Sequence, residues 1–200
     1  PRVCSERSPC DPGKLCVLGR CRTPDSVPIS EGATRLTFEP QDIGLQVGQE
    51  GLPRAELGAA IALGKRDANA LLLMRFAVSL PPKARVERAL LVLDPLPDCT
   101  RRPGRVVIEV AQVLSPWTST DLRHRRLPKM SVPMRAATVS ATPARPLRLD
   151  VTELLREWRV DPERYHGLAL LGSGDSDTGA CYTSGLRWGS GPRLEVYLAA

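Results

Sequence analysis

LLLMRFAVSLPPKARVERALLVL, residues 71–93, decides the fold. Two apolar, partly alternating runs, Leu71–Leu80 and Val86–Leu93, flank a turn at Pro81-Pro82-Lys83-Ala84-Arg85. Each run is too short for a free-standing helix, and the two prolines forbid one helix through both. Two strands of a sheet explain the pattern. The same grammar continues in both directions. Strands are expected at Thr34–Glu39, Gln41–Val47, Ala59–Leu63, Val106–Leu114, Met134–Ser140, Pro146–Asp150, Leu168–Leu171 and Arg193–Leu198. Gly and Pro punctuate nearly every gap. Short strands in series without intervening helices predict an all-β fold, an antiparallel β-sandwich rather than a βαβ sheet.

One segment departs from this. Val151, Leu154, Leu155 and Trp158 fall at i, i+3, i+4 and i+7, the stripe of a short amphipathic helix near 151–159. Asp150 is the expected N-cap and Glu153 its capping-box partner. Asp161-Pro162 stops the helix.

Six cysteines set the expected compartment. Cys4, Cys10, Cys16 and Cys21 crowd the first 22 residues, and Cys99 and Cys181 stand apart. An even count, dense at one end, predicts disulfides and an oxidising environment. Zinc would need closely spaced thiolates or nearby histidines, and His124 and His166 are remote from the cluster. Residues 1–22 are too few to bury a core, so cross-links must hold them as a Cys-rich knot. Cys4–Cys16 with Cys10–Cys21 is the preferred pairing, with the other two connectivities open. Residues 23–33 read as a linker or strap, and 34–200 as the sandwich. A Cys99–Cys181 bridge would close a loop of about 80 residues, stabilising by roughly 4–5 kcal/mol in the chain-entropy model.

The net charge is +6, carried almost entirely by arginine, with one local cluster at Arg123-His124-Arg125-Arg126. A scattered basic surface is the plain interpretation, and a site for acidic polysaccharide or lipopolysaccharide the sharper one. No basic stripe interleaves with aromatics, so nucleic acid is not an expected partner. No apolar run approaches the roughly 18 residues of a membrane span. Membrane attachment is expected only through an N-terminal lipid anchor ahead of Pro1.

Read in order, several segments resemble the DNRLRE family of extracellular β-sandwich domains, related to carbohydrate-binding modules. The resemblance lies in Ile61-Ala62-Leu63-Gly64, Leu73-Met74-Arg75-Phe76 and the passage Leu80-Pro81-Pro82-Lys83-Ala84-Arg85-Val86-Glu87-Arg88-Ala89-Leu90-Leu91. It continues through Trp117-Thr118-Ser119-Thr120, Leu149-Asp150-Val151-Thr152 with Trp158, Tyr165-His166-Gly167-Leu168-Ala169-Leu170, and Gly191-Pro192-Arg193-Leu194-Glu195-Val196-Tyr197-Leu198. It covers about residues 35–200. It implies a jelly-roll-like sandwich on a secreted or cell-surface protein and implies no catalysis. The family's polar opening is eroded here, with Asp42 as its remnant, and the Cys99/Cys181 pair is not a general family feature. The Cys-rich start resembles the EGF-like knots near the N-termini of bacterial surface lipoproteins.

These readings give an expected function: a non-catalytic bacterial surface or secreted module that binds glycan or attaches to cell-surface or matrix material. The alternative is a structural subunit of an envelope complex or surface filament, packing against protein partners. Trp117, Tyr182 and Trp188, at loop edges, are the candidate sugar platform, because a pyranose packs its C–H face on an exposed ring. Asp175 and Asp177, in the glycine-rich loop 172–179, offer oxygen ligands for calcium. Arg75, a lone charge in an apolar strand, needs an acidic partner, and Asp150 is the expected one. No Gly-x-Ser-x-Gly elbow or placed carboxylate pair points to hydrolysis.

Overall fold

The computed structural model describes residues 15–17, 20–22, 29–47, 50–53, 60–64, 70–96, 104–140, 143, 145–174, 179–185 and 191–199. The described chain is mostly β, with antiparallel sheets and two α-helices. Its strands are β1 (Leu15–Val17), β2 (Arg20–Arg22), β3 (Thr34–Phe38), β4 (Pro40–Val47), β5 (Glu50–Pro53), β6 (Ala60–Leu63), β7 (Ala70–Phe76), β8 (Val86–Leu93), β9 (Arg105–Gln112), β10 (Arg135–Ser140), β11 (Leu147–Asp150), β12 (Leu168–Gly174), β13 (Ala180–Thr183) and β14 (Arg193–Leu198). Helix α1 spans Ser119–Arg123 and α2 spans Thr152–Val160, with a 3-10 turn at Pro162–Arg164.

Six strands form one sheet in the order β10-β9-β12-β7-β4-β5, and four form another in the order β11-β8-β14-β3. Two smaller ribbons pair β13 with β6 and β1 with β2. The deciding stretch therefore yields two strands, but not neighbours. β7 belongs to the six-stranded sheet and β8 to the four-stranded one. The physical reason lies between them. β7 ends at Phe76, and nine residues, two of them prolines without N–H groups, carry the chain to Val86. That is too long and too donor-poor for a tight hairpin.

Both sheets meet in one core. Leu72, Met74 and Phe76 of β7, Ile108 and Val110 of β9, and Leu168 and Leu170 of β12 gather with Ala89, Leu91 and Leu93 of β8 and Leu194 and Val196 of β14. Alternation delivers these residues to the same side of each strand. Helix α2 adds Val151, Leu154, Leu155 and Trp158 to the same cluster, the stripe its sequence spacing predicts. Its cap differs from expectation. Val151 occupies the N-cap without a side-chain bond, and Asp150 Oδ1 instead accepts from the Thr152 amide at 2.9 Å and hydroxyl at 2.6 Å. Glu153 does not close a capping box and pairs with Arg156 at 2.7 Å. Arg156 also donates to the Val86 carbonyl, and Arg159 donates to that of Ala84. The helix thus fastens its polar side to the start of β8 and the turn that precedes it.

β7 is buried almost continuously, because its sheet is covered on both faces. On the outer face Leu71 and Leu73 lie with Ala111, Val113, Trp117, Leu122 and Ala169 in a second apolar cluster. The register aligns Leu73, Ala169 and Ala111 across three strands. The two alanines keep this row shallow where Trp117 and Leu122 pack with it. Burying each leucine there stabilises by roughly 2 kcal/mol. The cover is the connection from β9 to β10, residues 113–134, which carries α1.

β5, β13, α1 and the β1–β2 pair are elements the sequence patterns missed. Cys16 and Cys21 are register partners in the β1–β2 pair. The pairing of the knot cysteines lies outside the described residues, as does Cys99. Cys181 on β13 is disulfide-bonded.

Candidate functional site

The expected platform residues are not presented to solvent. Trp117 is 3 % exposed, and its indole N–H donates to the His166 carbonyl at 2.8 Å. Tyr182 is 0 % exposed, in the main core beside β6. Neither ring offers a face to a sugar, which corrects the platform assignment for both. Their loop-edge position in sequence concealed a packing role. Trp117 closes the outer face of the six-stranded sheet, and Tyr182 sits mid-strand in β13. Burial disfavours the Tyr182 phenolate and raises its pKa well above the ordinary tyrosine value. Trp188, Asp175 and Asp177 lie outside the described residues, so the calcium assignment does too.

Arg75 also finds a different partner. Its Nη2 lies 3.6 Å from Asp42 Oδ2, not Asp150. The two are register partners on β7 and β4. Sequence separation hid this, because only the pairing of β4 with β7 brings them together. Asp42 Oδ2 additionally accepts from the Ser119 amide at 3.1 Å, tying the sheet to the start of α1. Nearby, the Tyr165 hydroxyl accepts from the Phe76 amide at 2.6 Å, and its ring lies 4.2 Å from that of Trp158. Burial pushes the Tyr165 phenol up to about 12.

What the described surface does present is concentrated on the connection 113–134 and the end of α2. The large apolar side chains that stand exposed among the described residues are Leu114, Leu127, Val132, Met134 and Val160, with Val132 at 81 % and Val160 at 87 %. Soluble surfaces scatter such groups singly, and a concentration marks a contact region. Leu114 and Val160 line one cleft of about 560 Å³ together with Gln112, Arg156, Glu157, Asp161 and Arg164. The segment that returns from α1 runs beside the end of β9. Leu114 donates to the Lys129 carbonyl at 2.7 Å, Ser131 to that of Gln112 at 2.9 Å, and Met134 to that of Val110 at 2.8 Å.

The scaffold under this segment is firm. Thr118 caps α1 and forms a reciprocal box with Asp121. Hydrogen bonds from the Thr118 hydroxyl and amide hold the Asp121 carboxyl below the usual carboxylate range. The Thr118-x-x-Asp121 spacing was the readable sign of α1. After Arg123 the chain turns with Arg125 at φ 57°, a left-handed conformation that costs a bulky residue about 1 kcal/mol. Its amide donates to the Leu122 carbonyl, and that of Arg126 to Asp121. The Arg123–Arg126 cluster, visible in sequence, is thus an exposed knuckle raised over the sheet.

A scan against protein-family models finds no match, and a search of curated proteins finds no relative.

Proposed function

We propose that this chain is a non-catalytic attachment module of a secreted or cell-surface protein, built as a jelly-roll-like β-sandwich of the DNRLRE kind. Two antiparallel sheets around one core, and a helix at the Leu149–Trp158 motif, support the sandwich reading. A disulfide at Cys181 supports an oxidising compartment. The attachment face is the connection 113–134 with the end of α2. The observation that carries it is that the exposed large apolar side chains among the described residues all lie on these two segments, with Leu114 and Val160 sharing one cleft. Attachment through this face ranks ahead of sugar stacking, since Trp117 and Tyr182 are committed to packing.

The test is co-sedimentation of the purified chain with bacterial cell envelopes. Val132→Asp with Val160→Asp should lower the bound fraction about tenfold while leaving the fold intact, since both residues are exposed. Binding indifferent to that change overturns the assignment of the face. A structural subunit remains the second reading, favoured by the same apolar exposure. It predicts a defined oligomer by light scattering, with an interface of about 1,000 Å² or more.

A further inference from the structure

The connection 113–134 mixes two kinds of group within one strand-and-turn unit. His124, Arg125, Arg126 and Lys129 are exposed on the knuckle. The Arg125 and Lys129 side chains have no hydrogen-bond or ion-pair partner among the described residues. The acid on the same turn, Asp121, is taken by Thr118, whose amide and hydroxyl each lie 2.8 Å from its Oδ2. Arg126 and His124 act on it only through space. On the same connection as the cations Arg125, Arg126 and Lys129 stand Leu127, Val132 and Leu114, all exposed. Leu114 is held against Lys129 by its backbone bond. Buried Leu122 fixes the knuckle from below, so the groups are already placed before any partner arrives.

We propose that the partner of this attachment face is an anionic lipid surface, met peripherally by the knuckle cations and the apolar side chains among them. This presupposes the attachment reading above and names its target. Charge complementarity calls for an anion, because the exposed Arg125 and Lys129 side chains have no hydrogen-bond or ion-pair partner among the described residues. The apolar groups then separate the anionic classes. A dissolved polyanion gains nothing from Leu127 or Val132, whereas a bilayer buries such side chains at its headgroup boundary. Nucleic acid would want exposed rings to stack on, and Trp117, the ring nearest in sequence to the knuckle, is buried.

The experiment uses the full chain and sedimentation with two vesicle preparations, phosphatidylcholine alone and phosphatidylcholine mixed equally with phosphatidylglycerol. Binding is expected to the mixed vesicles only and should fall steeply as salt rises from about 0.1 M to about 1 M. Each cation at an anionic surface changes partitioning about fivefold, so Arg125→Gly with Arg126→Ser should weaken binding about 25-fold. Glycine suits the left-handed backbone at position 125, so this variant keeps its fold, and thermal melting checks that. Leu127→Ser with Val132→Ser, at unchanged charge, should weaken binding about tenfold.

Three results overturn the lipid target. One is equal binding to both vesicle types. Another is an apolar variant that binds like the wild type. The third is capture by soluble dextran sulfate or a single-stranded oligonucleotide with no vesicle binding. If vesicles fail while envelopes are still captured through Val132 and Val160, the lipid target falls and the attachment reading stands. If envelopes fail as well, both fall.

Discussion

The two main sheets share a core yet finish their outer faces in opposite ways. The six-stranded sheet lays Leu71, Leu73, Ala111 and Ala169 under Trp117 and Leu122. The four-stranded sheet carries charge there. Glu195 on β14 is buried, accepts from Arg193 Nε at 3.0 Å and from the Tyr197 hydroxyl at 3.0 Å, and lies 3.5 Å from Arg148. Arg193 also reaches Asp94 at 2.6 Å, and these acids hold its pKa above its ordinary value despite the opposing effect of burial. The apolar cover draws its strength from area removed from water. The charged lattice must offset its own desolvation with well-placed partners. The first tolerates loss of a group by degrees, and the second fails when one partner leaves an orphan.

The largest effect should come from the cover. Trp117→Ala removes a buried indole and its bond to His166, and should cost about 3–5 kcal/mol by urea denaturation. A loss below about 1 kcal/mol would mean that the six-stranded sheet does not need its lid. Glu195→Ala should cost about 3 kcal/mol, because Arg193 and Arg148 lose a common anion. Glu195→Gln, which keeps the shape, should cost less. Equal losses from the two would show that packing, not charge, holds that face.

Alkali examines the core that the two sheets share, against which Tyr165 packs. Tyr165 is held neutral in the fold to about pH 12, whereas its unfolded counterpart ionises near pH 10. Its contribution is fully present below pH 10 and is lost as pH rises toward 12, at about 1.4 kcal/mol per pH unit. Unfolding midpoints measured across that window should fall less steeply in Tyr165→Phe, the remaining slope belonging to Tyr182, whose pKa burial also raises. A slope unchanged by that substitution would assign the alkaline loss elsewhere. Smallest is Thr118→Ala, which should cost about 1 kcal/mol through loss of the α1 cap, with the charged face untouched.

The main features of the fold could be read from the sequence because strand periodicity and helix spacing are local. Val86–Leu93 and Arg193–Leu198 form strands with the expected bounds, and Val151, Leu154, Leu155 and Trp158 all point into the core. Sheet membership was not readable, since β7 and β8 look like hairpin partners until the Pro81-Pro82 crossing is placed. The ion pair of Arg75 with Asp42 depends on the register of β4 against β7, which no local pattern encodes. The candidate site was half visible. Its cations stand side by side in sequence, but burial decides whether an aromatic is a platform or a plug. Trp117 and Tyr182 show that a residue near a loop can be deeply enclosed, the one packed onto a sheet face and the other set within β13.

The fastening of α2 to residues 84–87 bears on how the chain reaches this structure. The partners are some 70 residues apart, with Arg156 joined to Val86 and Arg159 to Ala84. A nine-residue helix is marginal in water by itself. It therefore waits for β8 to be paired before it has anything to hold. Together with strand pairings such as β14 with β3, which join the last strand to one near the start of the described chain, this makes contacts distant in sequence the rule. Such a topology folds in milliseconds to seconds, not microseconds. Docking of α2 is expected late on that path. Substitutions at Arg156 should therefore accelerate unfolding and leave the folding rate nearly unchanged.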